Sequence, residues 1–417
     1  MNRRQFLSCT AALLLGPAPL ARGEAFDLLI HGGELIDPSQ GLRGSYDLAI
    51  RHGRIAALRS RIDPAHARRH IDARGYLVVP GLIDLHSHVY PYGSALGIPA
   101  DELAPQQGTT TMVSAGDAGA NNFAAFRRYV VAQSRTRLFA FVHIANNGLA
   151  GFPVPELVNI DYAKVDVAAQ CLAENADLVL GIKVRMSQAV IAHHGLEPLH
   201  RALAACAAAG TGAKLMCHIG GVASVELMQD ILNSLRPGDI LTHCYSGAPN
   251  SAGQFTNIVV GGRLLPAARA AKERGVVFDV GHGGGSFDYT VAEAAIAQGC
   301  PPDTLSSDIH NVSGNTAGRP YLHWVMSKFL NLGFSLEQVI AMATQVPAEV
   351  IGRVHGLGSL AVGAPADVTI LEAVAGEVEF VDTRGNRRRG ERQLRPQLVV
   401  AGGVPFGRPY ASPFSVR

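Results

Sequence analysis

Lysine is nearly missing from this chain: five residues (Lys164, Lys183, Lys214, Lys272 and Lys328) stand against 31 arginines in a length of 417. A lysine inside an apolar strand is therefore conspicuous and calls for a chemical reason. Charge of either sign is also sparse, at 17% of residues, and 36 basic side chains against 34 acidic ones leave a net charge of +2. Only the run Arg384–Arg395 is densely basic, so a nucleic-acid partner, which needs a basic patch or stripe, is set aside. Long apolar runs are lacking as well. Crossing a bilayer takes about 20 unbroken apolar residues, and the stretch Thr10–Leu20 is shorter and interrupted by Pro17 and Pro19. No stable membrane anchor is expected. Beyond Cys9 the cysteines are Cys171, Cys206, Cys217, Cys244 and Cys300, an odd set at irregular spacings that makes no disulfide framework. What the chain does have is apolar material, 47% of residues, which excludes disorder and suffices for a large core.

The N-terminus reads as a targeting segment. Arg3 and Arg4 precede Phe6 and Leu7, then the short apolar stretch, then Ala21, Arg22 and Gly23. This is the pattern of a twin-arginine export signal over residues 1–23, cut after Gly23. The expected location is periplasmic or secreted. A route that carries folded proteins suits a protein that takes up metal in the cytoplasm. Cys9 lies too near the arginines to be a lipid attachment site.

Periodicity divides the rest into three. Residues 24–79 alternate short strands with Gly-rich turns (DLLIHGGELIDP, DLAIRHGRIAAL, HIDARGYLVVP), and residues 357–417 return to that pattern in ADVTIL, EVEFVDTRGN and PQLVVAGG. Both read as antiparallel sheet, and together as a small β-sandwich built from the two ends of the chain. Between them, over residues 80–356, the runs LIDLHSH, TTMVSAG, LFAFVHIA, LVLGIKVRM, AKLMCHIG, DILTHCYSG, VVFDVGHGG and TLSSDIH alternate with Ala/Leu-rich segments of helical character. That is the arithmetic of an α/β fold of the (β/α)₈ TIM barrel type, whose site lies at the C-terminal ends of the strands.

Chemistry-bearing residues sit at those ends. His86 and His88 form His-x-His on the first run; strand alternation points both to one face, where both reach one metal ion. Lys183 lies in the fourth run, His218 ends the fifth, His243 the sixth and Asp308 the eighth. Isolated histidines are commonly core or surface residues, but ligand types at the outlets of so many strands point to a metal site. Lys183 either extends its stem to the rim or is buried; burial lowers its pKa, and a neutral amine reacts with carbon dioxide to give a carbamate able to bridge two metals. By the same alternation Arg185, Tyr245 and His310 face the pocket. His282 lies among Gly281, Gly283, Gly284 and Gly285, where bare backbone approaches a ligand. These four either contact substrate or support the ligands. Cys217 and Cys244 should point outward as packing residues, and His143 is read as structural.

These residues, with the junctions VVPGLIDLHSH and LGSLAVGAPADVTIL, resemble the amidohydrolase superfamily and its dihydroorotase-like binuclear branch. GIKVRMS, HIGG, THCYSG, DVGHGGGSF and SSDIH are similar to its amidohydrolase/deacetylase metallohydrolase subgroup. The resemblance implies two divalent metal ions, zinc being favoured by histidine-rich ligation. His86, His88 and Asp308 would hold one, His218 and His243 the other, and carboxylated Lys183 would bridge them. Asp308 would be the catalytic residue, taking a proton from the attacking water and passing it to the leaving group. The implied reaction is hydrolysis of a small acyl group, acetyl foremost, from an ester or amide; Arg185, facing a metal-lined pocket, adds the expectation that the substrate is a small carboxylated molecule. Two departures matter. Tyr90 stands where a dihydroorotase has an arginine for its substrate carboxylate, and Ile219, Gly220 and Gly221 follow His218 where adenosine-type deaminases carry a glutamate. A cyclic-amide hydrolase, an N-acyl-amino-acid or dipeptide hydrolase, and a non-catalytic binding homologue remain as alternatives, and a homo-oligomer is left open.

Overall fold

Seven of the eight β-branched runs form strands, nearly all of them buried on both faces, as a parallel sheet covered by helices requires. In the computed structural model, which describes residues 25–406, they are Leu82–Ser87, Thr109–Gly119, Arg137–His143, Val179–Arg185, Lys214–His218, Ile240–Thr242 and Val277–Asp279. Each pairs in parallel with the next, in sequence order. The export signal expected over residues 1–23 lies outside the described residues.

The eighth run departs from expectation, because it closes the barrel without being a regular strand. Isolated parallel bridges join Asp279 to Thr304 and Ser87 to Ile309. Backbone N–H groups of His282 and His88 donate to Ser306 and Ile309 carbonyls at 3.1 and 3.0 Å. Side chains take over the remaining ladder. Asp84 accepts from the Ser307 N–H at 2.9 Å and from the Ser307 hydroxyl, while Asp279 accepts from the hydroxyls of Thr304 at 2.6 Å and Ser306 at 2.7 Å. Polar side chains that bond backbone and one another compete with sheet pairing, and Asp308 turns out of the extended region at φ 47°.

Every segment read as helical carries a helix: Phe123–Tyr129, Val165–Glu174, Glu197–Ala208, Val225–Ser234, Pro266–Glu273, Tyr289–Ala297 and Leu322–Asn331. Val225–Ser234 shows the logic. The Ser224 hydroxyl caps it by accepting from the Leu227 N–H, and it buries Met228, Ile231 and Leu232, the i, i+3, i+4 stripe of a helix on a core.

The chain's two ends form two further sheets. One orders Arg54–Arg59, Asp47–Arg51, Leu28–His31 and His70–Asp72; the other orders Val404–Phe406, Arg387–Ala401, Val368–Val381, Leu77–Pro80, Glu34–Asp37 and Leu42–Ser45. Leu28, Ile30, Leu48 and Ile50 of the first pack with Leu35, Val78, Val368, Ile370 and Val400 of the second in one buried cluster. The expected all-antiparallel pattern is corrected at two places, since Leu28–His31 pairs with His70–Asp72 and Glu34–Asp37 with Leu77–Pro80 in parallel. Segments apart in sequence meet there, which local alternation does not reveal. Among the described residues no helix is long and apolar enough to cross a membrane.

Candidate metal centre

The first strand delivers His86, and His88, just past its end and bonded through its N–H to the Ile309 carbonyl, comes to the same side. Their Nε2 atoms stand 3.1 and 3.0 Å from the same oxygen, Asp308 Oδ1. His243 Nε2 lies 4.0 Å from Asp308 Oδ2, and the His218 and His243 rings meet edge to face at 4.2 Å between centroids. Lys183 is buried, its Nζ 3.1 Å from His86 Nε2 and 3.4 Å from Met216 Sδ. Room for that lysine comes from the second strand, where Gly116 has φ +90° and a Cβ would stand 2.7 Å from Lys183 Cγ. Burial pulls the lysine's pKa down to about 8, against the pull of Asp308, so a neutral amine is accessible near neutral pH.

Hydrogen bonds behind the ring of ligand types decide what it can hold. The Thr242 hydroxyl donates to Asp279 at 2.7 Å, which leaves its oxygen to accept from His86 Nδ1 at 2.6 Å. His88 Nδ1 faces the Asp117 carboxylate at 2.8 Å and His243 Nδ1 the Gly281 carbonyl at 2.5 Å. Each outer nitrogen therefore carries a hydrogen, so His86 and His243, neutral, aim bare Nε2 atoms inward, and His88 does the same once the proton shared with Asp308 is given up. His243 Nε2 has no hydrogen-bond partner although buried. Lone pairs of buried imidazoles directed at one carboxylate repel unless a cation or a proton lies among them. His86, His88 and Asp308 form a group that could hold a metal ion, and this donor set suits a divalent one. Burial opposes charge on His88, yet Asp117 and Asp308 outweigh it and raise its pKa; His86 and His218 lie well below the ordinary value, chiefly through burial.

A cavity of about 180 Å³ opens on this centre, lined by His86, His88, Lys183, Arg185, His218 and Asp308, with Leu96, Ala115, Leu149 and Phe152 as an apolar side and Gly284, Gly285, Ser286 and His310 as the remainder. Of the proposed substrate contacts, Arg185 and His310 thus reach the cavity. Arg185 is not free: its Nη1 donates to the buried Glu156 carboxylate at 3.0 Å, and Glu156 also stands 3.1 Å from His143 Nε2. Burial pushes Glu156 up, but Arg185 and His143 hold it at about 2.

Tyr245 and His282 are placed elsewhere, a correction to the expected directions. The Tyr245 hydroxyl donates to the Cys300 carbonyl at 2.8 Å behind the barrel, and His282 Nε2 meets Lys328 Nζ at 2.6 Å. The sixth strand ends at Thr242 and His243 has φ 63°, so alternation no longer applies two residues on. Tyr90 is also turned away, with its ring against Phe126 and its hydroxyl on the Asn122 carbonyl at 3.3 Å. Sequence reasoning passed over Asp117, Glu156 and Asp279. Asp117 and Asp279 stand as acids in apolar strand runs, a signal that was available; Glu156 lies in a loop with none.

A sequence profile described as "Amidohydrolase family" matches residues 102–405. A deacetylase of Agrobacterium fabrum is 35% identical over 353 residues, 84% of this chain and 84% of its own. A solved structure described as a dihydroorotase superposes with TM-score 0.81 at 32% identity, covering 91% of this chain and 98% of that one. Another, described as an adenine deaminase, gives TM-score 0.81 at 30% identity over 91% and 99%.

Proposed function

The chain belongs to the amidohydrolase family and is a hydrolase, and from that premise we propose that it removes a small acyl group, acetyl foremost, from an ester or amide of a small carboxylated molecule. The observation that carries the reading is the convergence of the Nε2 atoms of His86, His88 and His243 on Asp308. His86, His88 and Asp308 would hold one divalent ion, His218 and His243 a second, zinc foremost, with Lys183 as a carbamate between them. Such ions supply a Lewis acid that brings the pKa of water towards neutrality and polarises a carbonyl. A deacetylase among the relatives supports the acyl group, and the buried Tyr90, which offers the cavity no cation, speaks against a dihydroorotase-like cyclic amide. Residues 1–23 would export the protein.

Asp308 is placed to move the proton. Its Oδ1 faces His86 and His88, while Oδ2 lies over Gly283, where a Cβ would come within 2.5 Å. The missing side chain keeps Oδ2 open to water and leaving group. Leu96, Leu149 and Phe152 exclude bulk water from the acyl side, and the cavity volume fits a small substrate. The test is a screen of acetylated hydroxy acids and N-acyl amino acids with zinc-loaded protein. Close to two equivalents of metal should be found by elemental analysis, and uptake at neutral pH should release protons, because His88 carries a raised pKa without metal. A content that never exceeds one equivalent sinks the binuclear assignment.

Arg185 presents its remaining donors to the cavity, and a guanidinium fork suits a carboxylate. Arg185→Met should therefore lower kcat/KM for carboxylated substrates by about 10- to 100-fold and for neutral esters much less. Equal losses on both, accompanied by loss of metal, would show that Arg185 serves only to neutralise Glu156.

A further inference from the structure

The sheet built by the chain's two ends continues past its own needs. Val368–Leu371 pair with Leu77–Pro80, but from Glu372 to Val381 the strand pairs only with its hairpin partner, Arg387–Ala401. This ribbon leaves the sheet, packs along helix Leu322–Asn331, and brings its turn to the barrel loop after Asp279. That loop carries Gly284, Gly285 and Ser286, one wall of the catalytic cavity.

The contact is built from several bonds. Arg384 Nη2 donates to the Gly285 carbonyl. The Thr383 N–H and hydroxyl donate to the Phe287 carbonyl at 3.1 and 2.7 Å. Asp382, almost fully buried, accepts from the Tyr289 N–H at 2.9 Å while holding its own turn through the N–H groups of Arg384 and Asn386 at 2.8 and 2.9 Å. Behind them Lys328 Nζ donates to the carbonyls of Val381 at 2.7 Å and Gly318 at 2.8 Å and meets His282. Glycines give the wall no side chains with which to fix itself. Within the wall, the carbonyls of Gly285 and Ser286 bond outward, the latter to the Gly247 N–H at 2.8 Å.

We propose that the ribbon tip, through Arg384, is a positioning element for substrate binding: it fixes the Gly284–Ser286 wall against the cavity from outside the barrel. As a role in substrate binding it rests on the functional reading above, but the clamp itself can be read without a substrate. Arg384 is exposed and touches no ligand residue, so Arg384→Ala should fold and load metal as the wild type does. In metal-loaded full-length protein, hydrogen exchange at the amides of residues 283–287 should quicken about tenfold, and KM for any turned-over acyl substrate should rise about tenfold with kcat nearly kept, the scale of one charged hydrogen bond. Arg384→Lys, which can still donate to Gly285, should recover most of both. Unchanged exchange overturns the clamp, and so does quicker exchange with KM unchanged. A fall in kcat with loss of metal also overturns it, as that marks general damage. Should the wild type hydrolyse no acyl substrate, the functional reading fails, while exchange that quickens in Arg384→Ala and recovers in Arg384→Lys still supports the clamp.

Discussion

Asp308→Asn should lose turnover by roughly 10²- to 10⁴-fold, the contribution of a positioned general acid–base, while retaining most of its metal. The geometry separates the two roles of this side chain. Oδ1, which faces His86 and His88 at 3.1 and 3.0 Å, can be replaced by the amide oxygen of asparagine without changing shape or donor type. Oδ2 becomes an NH₂ group, which can donate but cannot accept a proton from water. Asp308 also sits at φ 47°, a backbone conformation that asparagine tolerates better than most residues, so the fold should bear the exchange. The measurements are kcat/KM on the best substrate from the acyl screen and metal by elemental analysis. Turnover within about threefold of wild type at full metal content would remove Asp308 from the proton path; loss of both ions would mean that the amide cannot serve as a ligand and that the roles are not separable.

How much of this was legible beforehand follows from where chain geometry is regular. Within the fourth strand the period of two holds, and Lys183 with Arg185 reach one cavity as parity requires; His88 lies one residue past the end of the first strand at Ser87 and reaches that cavity beside His86. Past a strand end parity carries no information. Tyr245 lies beyond the left-handed His243, and its hydroxyl finds the Cys300 carbonyl instead. His310 lies beyond the equally left-handed Asp308 and yet lines the cavity, so its placement owes nothing to alternation. The glycine neighbours of His282 suggest a ligand contact, but its Nε2 meets the Nζ of Lys328, a helix residue distant in sequence. Glu156, which neutralises Arg185, comes from a loop whose course no periodicity describes. The irregular eighth segment has the same origin: its ladder bonds go to Asp84 and Asp279, and a pattern of apolar runs cannot show that side chains will replace backbone partners.

Lys183→Ala should lose metal and activity together, the latter by roughly a thousandfold or more, as expected where a metal-activated nucleophile is no longer formed. The lysine has no structural excuse for its position. It is buried, its Nζ bonded to an imidazole and a thioether, His86 and Met216, and among the described residues it forms no ion pair; a buried ammonium without a carboxylate in contact is costly. Gly116 gives up its side chain to admit the lysine stem. A carbamate would resolve the cost, since carboxylation of Nζ turns a cation into an oxygen donor facing the His86 side of the centre. The same argument yields a rescue. Formate, acetate or propionate in excess should enter the space vacated by the lysine, supply carboxylate oxygens between the ligand histidines and restore part of both metal content and turnover. Methylamine, which matches the lysine in charge but offers no oxygen, should restore neither. Elemental analysis and kcat with and without each additive read the outcome, with thermal unfolding as the check that the variant is folded. Two equivalents of metal and full activity in Lys183→Ala would make the lysine a bystander, and rescue by methylamine in place of the acids would assign its function to the amine itself.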